Sequence, residues 1–358
     1  MQRTNSLMAP VALAIRPVFL PRLGDAVGNA EGLLHLRLDG AEERRQCRAQ
    51  PLVAGGEQQV LHRRVDRRAA DDREPVEVAI GREQVTERLG RAWGVVGHLN
   101  AVVDTPELRA AYNETLPKVT EFWTELGQNL KLFEKYKALQ GSAEYQTLNR
   151  ARKKIVDNAI RDFRLGGAEL SEDKKARFAE IQEQQAALST RFSENVLDAT
   201  NAYEFLVDDE NRLRGLPEDV KQAARTSAER EGKNGWRFTL HFPSYFPVLQ
   251  YADDRLLRET LYRASATKAS ELGANPDWDN TQNITEILKL RDEESKLLGY
   301  ANFADVSLVP KMATSPQQVI QFLQDLASRA RPFAENDLAE LKAFAKAELG
   351  LDKLEAWD

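Results

Sequence analysis

A chain of 358 residues, 42% apolar and 30% charged, suits either two domains or one large helical body with well-solvated outer faces. A net charge of −6 argues against nucleic acid as the main partner. The lone Cys47 excludes an intrachain disulfide and points to a reducing compartment, with the cytoplasm as the expectation; no apolar run approaches the roughly 18 residues of a membrane span.

Residues 1–85 differ from the rest. They hold 13 arginines, 12 acids, one aromatic (Phe19) and no lysine, the first of which is Lys118. Stretches such as LHRRVDRRAADDREP lack both helical and strand periodicity, so a core is hard to build there. Three readings stand: a poorly ordered extension, a basic nucleic-acid arm, or a shifted reading frame in a GC-rich gene. The acids and the missing stacking aromatics weigh against the arm. The apolar run Met8–Leu20 is broken by Pro10, Arg16 and Pro17 and makes a poor secretory signal or presequence.

Order is expected from about Gln84. Leu89, Ala92, Trp93, Val96 and Leu99 share one helical face. Thr105-Pro106-Glu107 supplies a cap, a proline at the first helical position and an acid at the positive helix end. Pro117 should kink or split the helix that follows, and Gly141 should close the run. From Leu148 to Thr200 two helices are expected on either side of Gly166-Gly167, packed on each other as an antiparallel pair. Their stripes are Tyr145, Leu148, Ile155, Ala159 and Phe163, then Phe178, Ile181, Leu188, Phe192 and Val196, with Ser171 as the second cap. Arg161, Asp162 and Arg164 beside Phe163 read as surface ion pairs or packing stems.

From Ala202 the rhythm changes. A small β-ribbon is expected at about 202–207, 236–242 and 246–251, with a turn at Asn234-Gly235. Helices resume at Asp253, with a Glu259–Arg263 pair. A short helix at 302–308 follows, then a long one opened by the capping box Ser315-Pro316-Gln317-Gln318 and stopped at Gly350, with Pro332 as a bend. Leu351, Leu354 and Trp357 are apolar with no chain left to pack against, which reads as an interruption. The expected fold class is therefore mainly α, a multi-helical lobe of long antiparallel helices with a small embedded β-ribbon.

The chemistry-bearing residues are sparse. The four histidines are His35, His62, His98 and His241; none is followed by glutamate and no two lie within five residues. A local His-Glu-x-x-His zinc site is excluded by that spacing. There is no Gly-x-Ser-x-Gly elbow and no glycine-rich phosphate loop. Glu293-Glu294 are adjacent carboxylates, but neighbours on a helix diverge by about 100°, so a solvated face is the reading.

From about Glu87 to Asp358 the chain resembles the thimet-oligopeptidase family of zinc metallopeptidases. The resemblance rests on ordered blocks, among them RAWGVVGHLNAVVDTPELRAAYNETLP (91–117), KKIVDNAIRDFRLGG (153–167), FTLHFPSYFPVLQYADDRLLRETLYRA (238–264) and WDNTQNITEILKLRDEESKLLGYANFADVSL (278–308). It implies a helical ellipsoid whose channel admits short unfolded peptides, with a zinc-bound water activated by a glutamate at the channel floor. It also implies that 86–358 is the N-terminal lobe, truncated at its end. The zinc ligands and catalytic residues then belong to a later part, so no catalytic, substrate-binding or metal residue is assigned here. On this reading the chain has no zinc of its own, and a complementary C-terminal fragment is its expected partner. The alternative is a non-catalytic helical module that binds peptides or a protein; neither nucleic acid nor membrane is an expected partner.

Overall fold

The computed structural model describes residues 75–358, with side chains from Thr86 onward. The expectations for residues 1–74, including His35, Cys47 and His62, lie outside the described residues. By internal contacts the chain divides into two units, one containing Gly81–Glu114 and the other 75–80 with Thr115–Asp358.

The first helix, α1 (Pro75–Val102), begins about ten residues earlier than its apolar stripe announces. Proline at the first helical position is pre-set for a helix, so residues 75–85 are helical although they belong to the arginine-rich segment. Asp104, at φ 44°, ends the helix, and Thr105 accepts from Leu108 N–H at 3.2 Å to start α2 (Pro106–Gly127). In the first unit Trp93 stacks on Tyr112 at 4.9 Å, and Val96 and Leu108 are buried. Pro117 does not split α2, which runs through it to Gly127.

In the second unit, α3 (Leu130–Gln140) and the short α4 (Ala143–Thr147) lead into α5 (Arg150–Leu165) and α6 (Glu172–Ala202). The expected α5–α6 pair is not formed; each helix takes another partner. Helix α5 packs antiparallel on α3: Phe163 meets Phe133 at 5.7 Å and Tyr136 at 5.6 Å, and Gln140 donates to Asp157 at 2.8 Å. Its buried face is Val156, Ala159, Ile160 and Phe163, so Ala159 and Phe163 lie inside as expected, while Ile155 is exposed and Val156 and Ile160 take the inner side instead. Gly167 does take the left-handed stop, at φ 84°. Gly166 is right-handed and serves a different need, since a Cβ there would stand 3.2 Å from the Cα of Gly127. Ser171 does not cap a backbone N–H of α6; its hydroxyl donates to Asp173 and lowers that carboxyl's pKa.

Strands β1 (Phe205–Val207) and β2 (Trp236–Phe238) pair antiparallel, Phe205 opposite Phe238 and Val207 opposite Trp236. Between them lie a 3₁₀ turn (Glu210–Leu213) and α7 (Glu218–Arg230). The third expected strand is instead helix α8 (Phe242–Tyr251). Pro247 could not donate to a ladder, whereas Pro243 fits the first helical turn, and Val248 reaches the core. Strand β2 stops at Phe238 because Thr239 N–H turns to Ser244 Oγ at 2.9 Å.

Helix α9 (Arg255–Thr267) completes a core in which Val207, Leu213, Phe238, Val248, Leu257 and Leu261 are all fully buried. Helix α10 (Thr281–Leu297), the short α11 (Phe303–Leu308) and the 34-residue α12 (Pro316–Leu349) finish the chain. Ser315 caps α12 through Gln318 N–H at 3.2 Å, and the Gln318 side chain accepts from Thr314 rather than from Ser315. Pro332 lies inside α12 without ending it. The described residues thus make a mainly α protein with one two-stranded sheet.

Candidate functional site

Three polar constructions lie in the second unit. The first is the seam between α6 and α10, which run antiparallel because Arg177 pairs with Glu293 and Asn195 with Asn280. Arg177 grips Glu293 with two hydrogen bonds of 2.7 Å and reaches Glu180 at 2.9 Å. The bidentate grip raises the arginine's pKa and lowers that of Glu293. Glu294 is buried and accepts from Gln185 at 2.6 Å. The expectation of a solvated face is therefore wrong for Glu294, while Glu293 stays 42% exposed. The reason is packing: α6 covers that side of α10. Further along, Asn280 Oδ1 accepts from Asn195 at 3.0 Å and Asn283 at 2.8 Å, while its own amide donates to the Phe192 carbonyl at 3.0 Å. All three asparagines are buried, so each amide is held by a partner rather than by water.

The second construction surrounds the N-terminus of α9. Asp254 caps the helix through Leu256 and Leu257 N–H and takes a 2.6 Å hydrogen bond from Arg212. Partial burial pushes its pKa up, but Arg212 and the two amides outweigh that and hold it below the usual value. An open depression of about 410 Å³ lies here, lined by Asn211, Arg212, Arg214, Asp253 and Asp254. Its cations and carboxylates are already paired with one another, Arg212 with Asp254 and, loosely at 3.9 Å, Arg214 with Asp253.

The third is a latch that the sequence reading missed. Asp358 accepts from Arg255 at 2.7 and 2.8 Å and from Arg258 at 3.3 Å, and its carboxylate is 1% exposed. Arg258 also donates to the Trp357 carbonyl at 2.7 Å. The Trp357 ring lies against Tyr262 at 5.7 Å, with the guanidinium of Arg263 over its face at 4.7 Å. Far from lacking anything to pack against, Trp357 is buried on α9. The readable signal was the row Arg255, Arg258 and Arg263, which recurs on one side of a helix and awaits an acid and an aromatic.

The donor set for a metal can be judged directly. Among the described residues no three His, Cys, Asp or Glu side chains stand together as ligands. His98 on α1 and His241 at the N-cap of α8 are both exposed. Every carboxylate among the described residues with a clear shift is held down by donors or cations, as Glu204 is by Lys233 and Arg237; none is held up as a general acid would be. The described residues therefore do not fit a resident catalytic zinc.

Relatives supply the context for these described residues. The "Neurolysin/Thimet oligopeptidase, N-terminal domain" family matches residues 73–175, and "Peptidase family M3" matches residues 248–358. The chain belongs to peptidase family M3. It is 49% identical over 276 residues to Oligopeptidase A of Escherichia coli, covering 77% of this chain and 41% of that protein. It is 48% identical over 276 residues to Oligopeptidase A of Haemophilus influenzae, covering 77% and 40%. The resemblance extends to Saccharolysin of Saccharomyces cerevisiae at 26% over 260 residues, covering 71% and 35%. The chain spans about two-fifths of the length of the bacterial relatives it matches. No helix among the described residues is long and apolar enough to cross a membrane.

Proposed function

We propose that this chain is the N-terminal portion of a zinc-dependent oligopeptidase of the Oligopeptidase A type, which cleaves short peptides in the cytoplasm. Its own part is one wall of the substrate channel, and with it the size selection. The zinc, its ligands and the catalytic groups belong to the portion of the relatives that this chain does not span. The observation that carries the reading is the 49% identity to a protein named as an oligopeptidase, joined to a described donor set that cannot hold the metal. Alone, the chain is inactive; its partner is a complementary fragment that supplies the rest. A second reading, a helical module that binds a protein without catalysis, is favoured by the bare apolar face of α12.

Incubation of the purified chain with a quenched fluorescent peptide of about ten residues, with and without added zinc, tests inactivity. No cleavage is expected in either case. Cleavage that a chelator abolishes would show that the chain carries a working metal site after all.

A further inference from the structure

Helix α12 is exposed at every residue from Ile320 to Phe344, yet it is tied down at both ends. At its start the Ser315 cap follows α11 after a short connection, and the two helices touch. At its finish Ala345 is buried, Leu351 N–H bonds the Ala345 carbonyl at 3.0 Å, and Trp357 and Asp358 are latched to α9. A helix normally owes its stability to an apolar face buried against something. Here that face is present and uncovered. Phe322, Leu323, Leu326, Phe333, Leu341 and Phe344 fall on one stripe and are 55–71% exposed, with Ala330 between them. Gln321, Gln324, Ser328, Glu335 and Lys342 lie on the opposite side.

We infer that the apolar stripe of α12 is the docking surface for the portion of the M3 fold that this chain does not span. The inference rests on the reading just proposed and deepens it by naming the surface that meets the partner. Three observations commit the face to this occupant. The M3 match runs from residue 248 to 358, so α12 lies inside the family fold and is not an appendage to it. About three-fifths of the bacterial relatives' length lies beyond what this chain covers, so there is polypeptide enough to cover the helix. The six large apolar side chains of the stripe offer surface on the order of 800 Å², about what one partner buries in a stable interface. The face also specifies chemistry. Asp337 stands within the stripe, and burying it unpaired would be costly, so the occupant brings an apolar helical surface with a cation or amide donor opposite Asp337.

The test co-expresses the full, tagged chain with the part of E. coli Oligopeptidase A that lies beyond its match to this chain. Co-purification near one-to-one is expected. Phe322→Ser with Phe333→Ser, or Asp337→Lys alone, should lower recovery at least tenfold. Gln324→Lys with Ser328→Lys, on the other side of the helix, should leave it unchanged. All these positions are exposed, so an unaltered circular dichroism melt shows that each variant is folded. Failure of the unaltered chain to capture the partner overturns the inference, as does capture that ignores the stripe. So does self-association through the same residues without uptake of the partner, which would assign the face to a second copy. Peptide cleavage by the purified pair is read separately: a pair that forms through α12 but does not cleave upholds the docking surface and sinks the peptidase reading.

Discussion

The sheet core and α12 are built from similar residues and end in opposite states. Phe238, on β2, is wholly buried among Val207, Leu213, Leu257 and Leu261; Phe333, on α12, is 71% exposed. Both are phenylalanines inside regular apolar patterns. What differs is whether the chain supplies the other wall. Around Phe238 a strand, two helices and a 3₁₀ turn converge within about fifty residues; around Phe333 no other described element does. A pattern states that a face wants cover. It does not state that cover exists in the same chain.

Four substitutions probe that contrast. Phe238→Ala should have the largest effect, destabilising by about 4 kcal/mol through lost burial and a cavity, seen as a lowered urea midpoint. Gly235→Ala comes next. At φ 91° an added Cβ would run into the Val207 carbonyl oxygen, and a cost of about 2–3 kcal/mol is expected from the same denaturation curve. Trp357→Ala should cost about 2 kcal/mol. The effect is smaller than at Phe238 because the last residues can detach without unfolding the rest, so hydrogen exchange should rise first in 351–358 and α9. Phe333→Ser should change stability by no more than about 0.5 kcal/mol while the partner is absent. A loss comparable to that at Phe238 would show that α12 is already covered.

The latch also predicts a pH dependence. The hydrogen bond from Arg255 lowers the Asp358 carboxyl to about 2, with burial opposing and Arg258 adding to the effect. A carboxyl whose folded pKa lies below its unfolded value of about 3.9 stabilises the fold fully above pH 4. That contribution disappears as pH falls toward 2. Because Arg255 is 41% exposed, about 1 kcal/mol is at stake. Asp358→Asn should lose this amount at pH 6 and flatten the acid limb of the stability curve; an unchanged limb would place the acid sensitivity elsewhere.

Much of the chain was legible because its signals are local. Thr105 and Ser315 cap helices as their spacing implies, Gly167 and Gly350 stop them, and Glu259 pairs with Arg263 at 2.8 Å. Several of the misreadings concern partners, beside local ones such as the Ser171 cap and the start of α1. Ile155 was taken for the inner face of α5, yet Val156 and Ile160 face α3. Glu294 looked solvated until α6 covered it. The stretch 246–251 had strand-forming residues, but Pro247 and the pull of Val248 into the core favour a helix. The candidate site was legible chiefly as a deficit: four histidines without metal spacing are visible in the sequence, whereas the Arg255–Arg258–Asp358 clamp spans 103 residues and could not be.

The sequence by itself determined the helical class, most helix ends, the absence of a His-Glu-x-x-His motif, and the M3 resemblance. Each of these follows from spacings of a few residues or from ordered blocks. Only the tertiary structure decided which faces meet: α5 with α3, α6 with α10, the last two residues with α9, and the middle of α12, from Ile320 to Phe344, left exposed. The reason is physical. Caps and periodicity are fixed by hydrogen bonds and side-chain directions within a turn or two, while burial depends on surfaces brought together from distant parts of the chain.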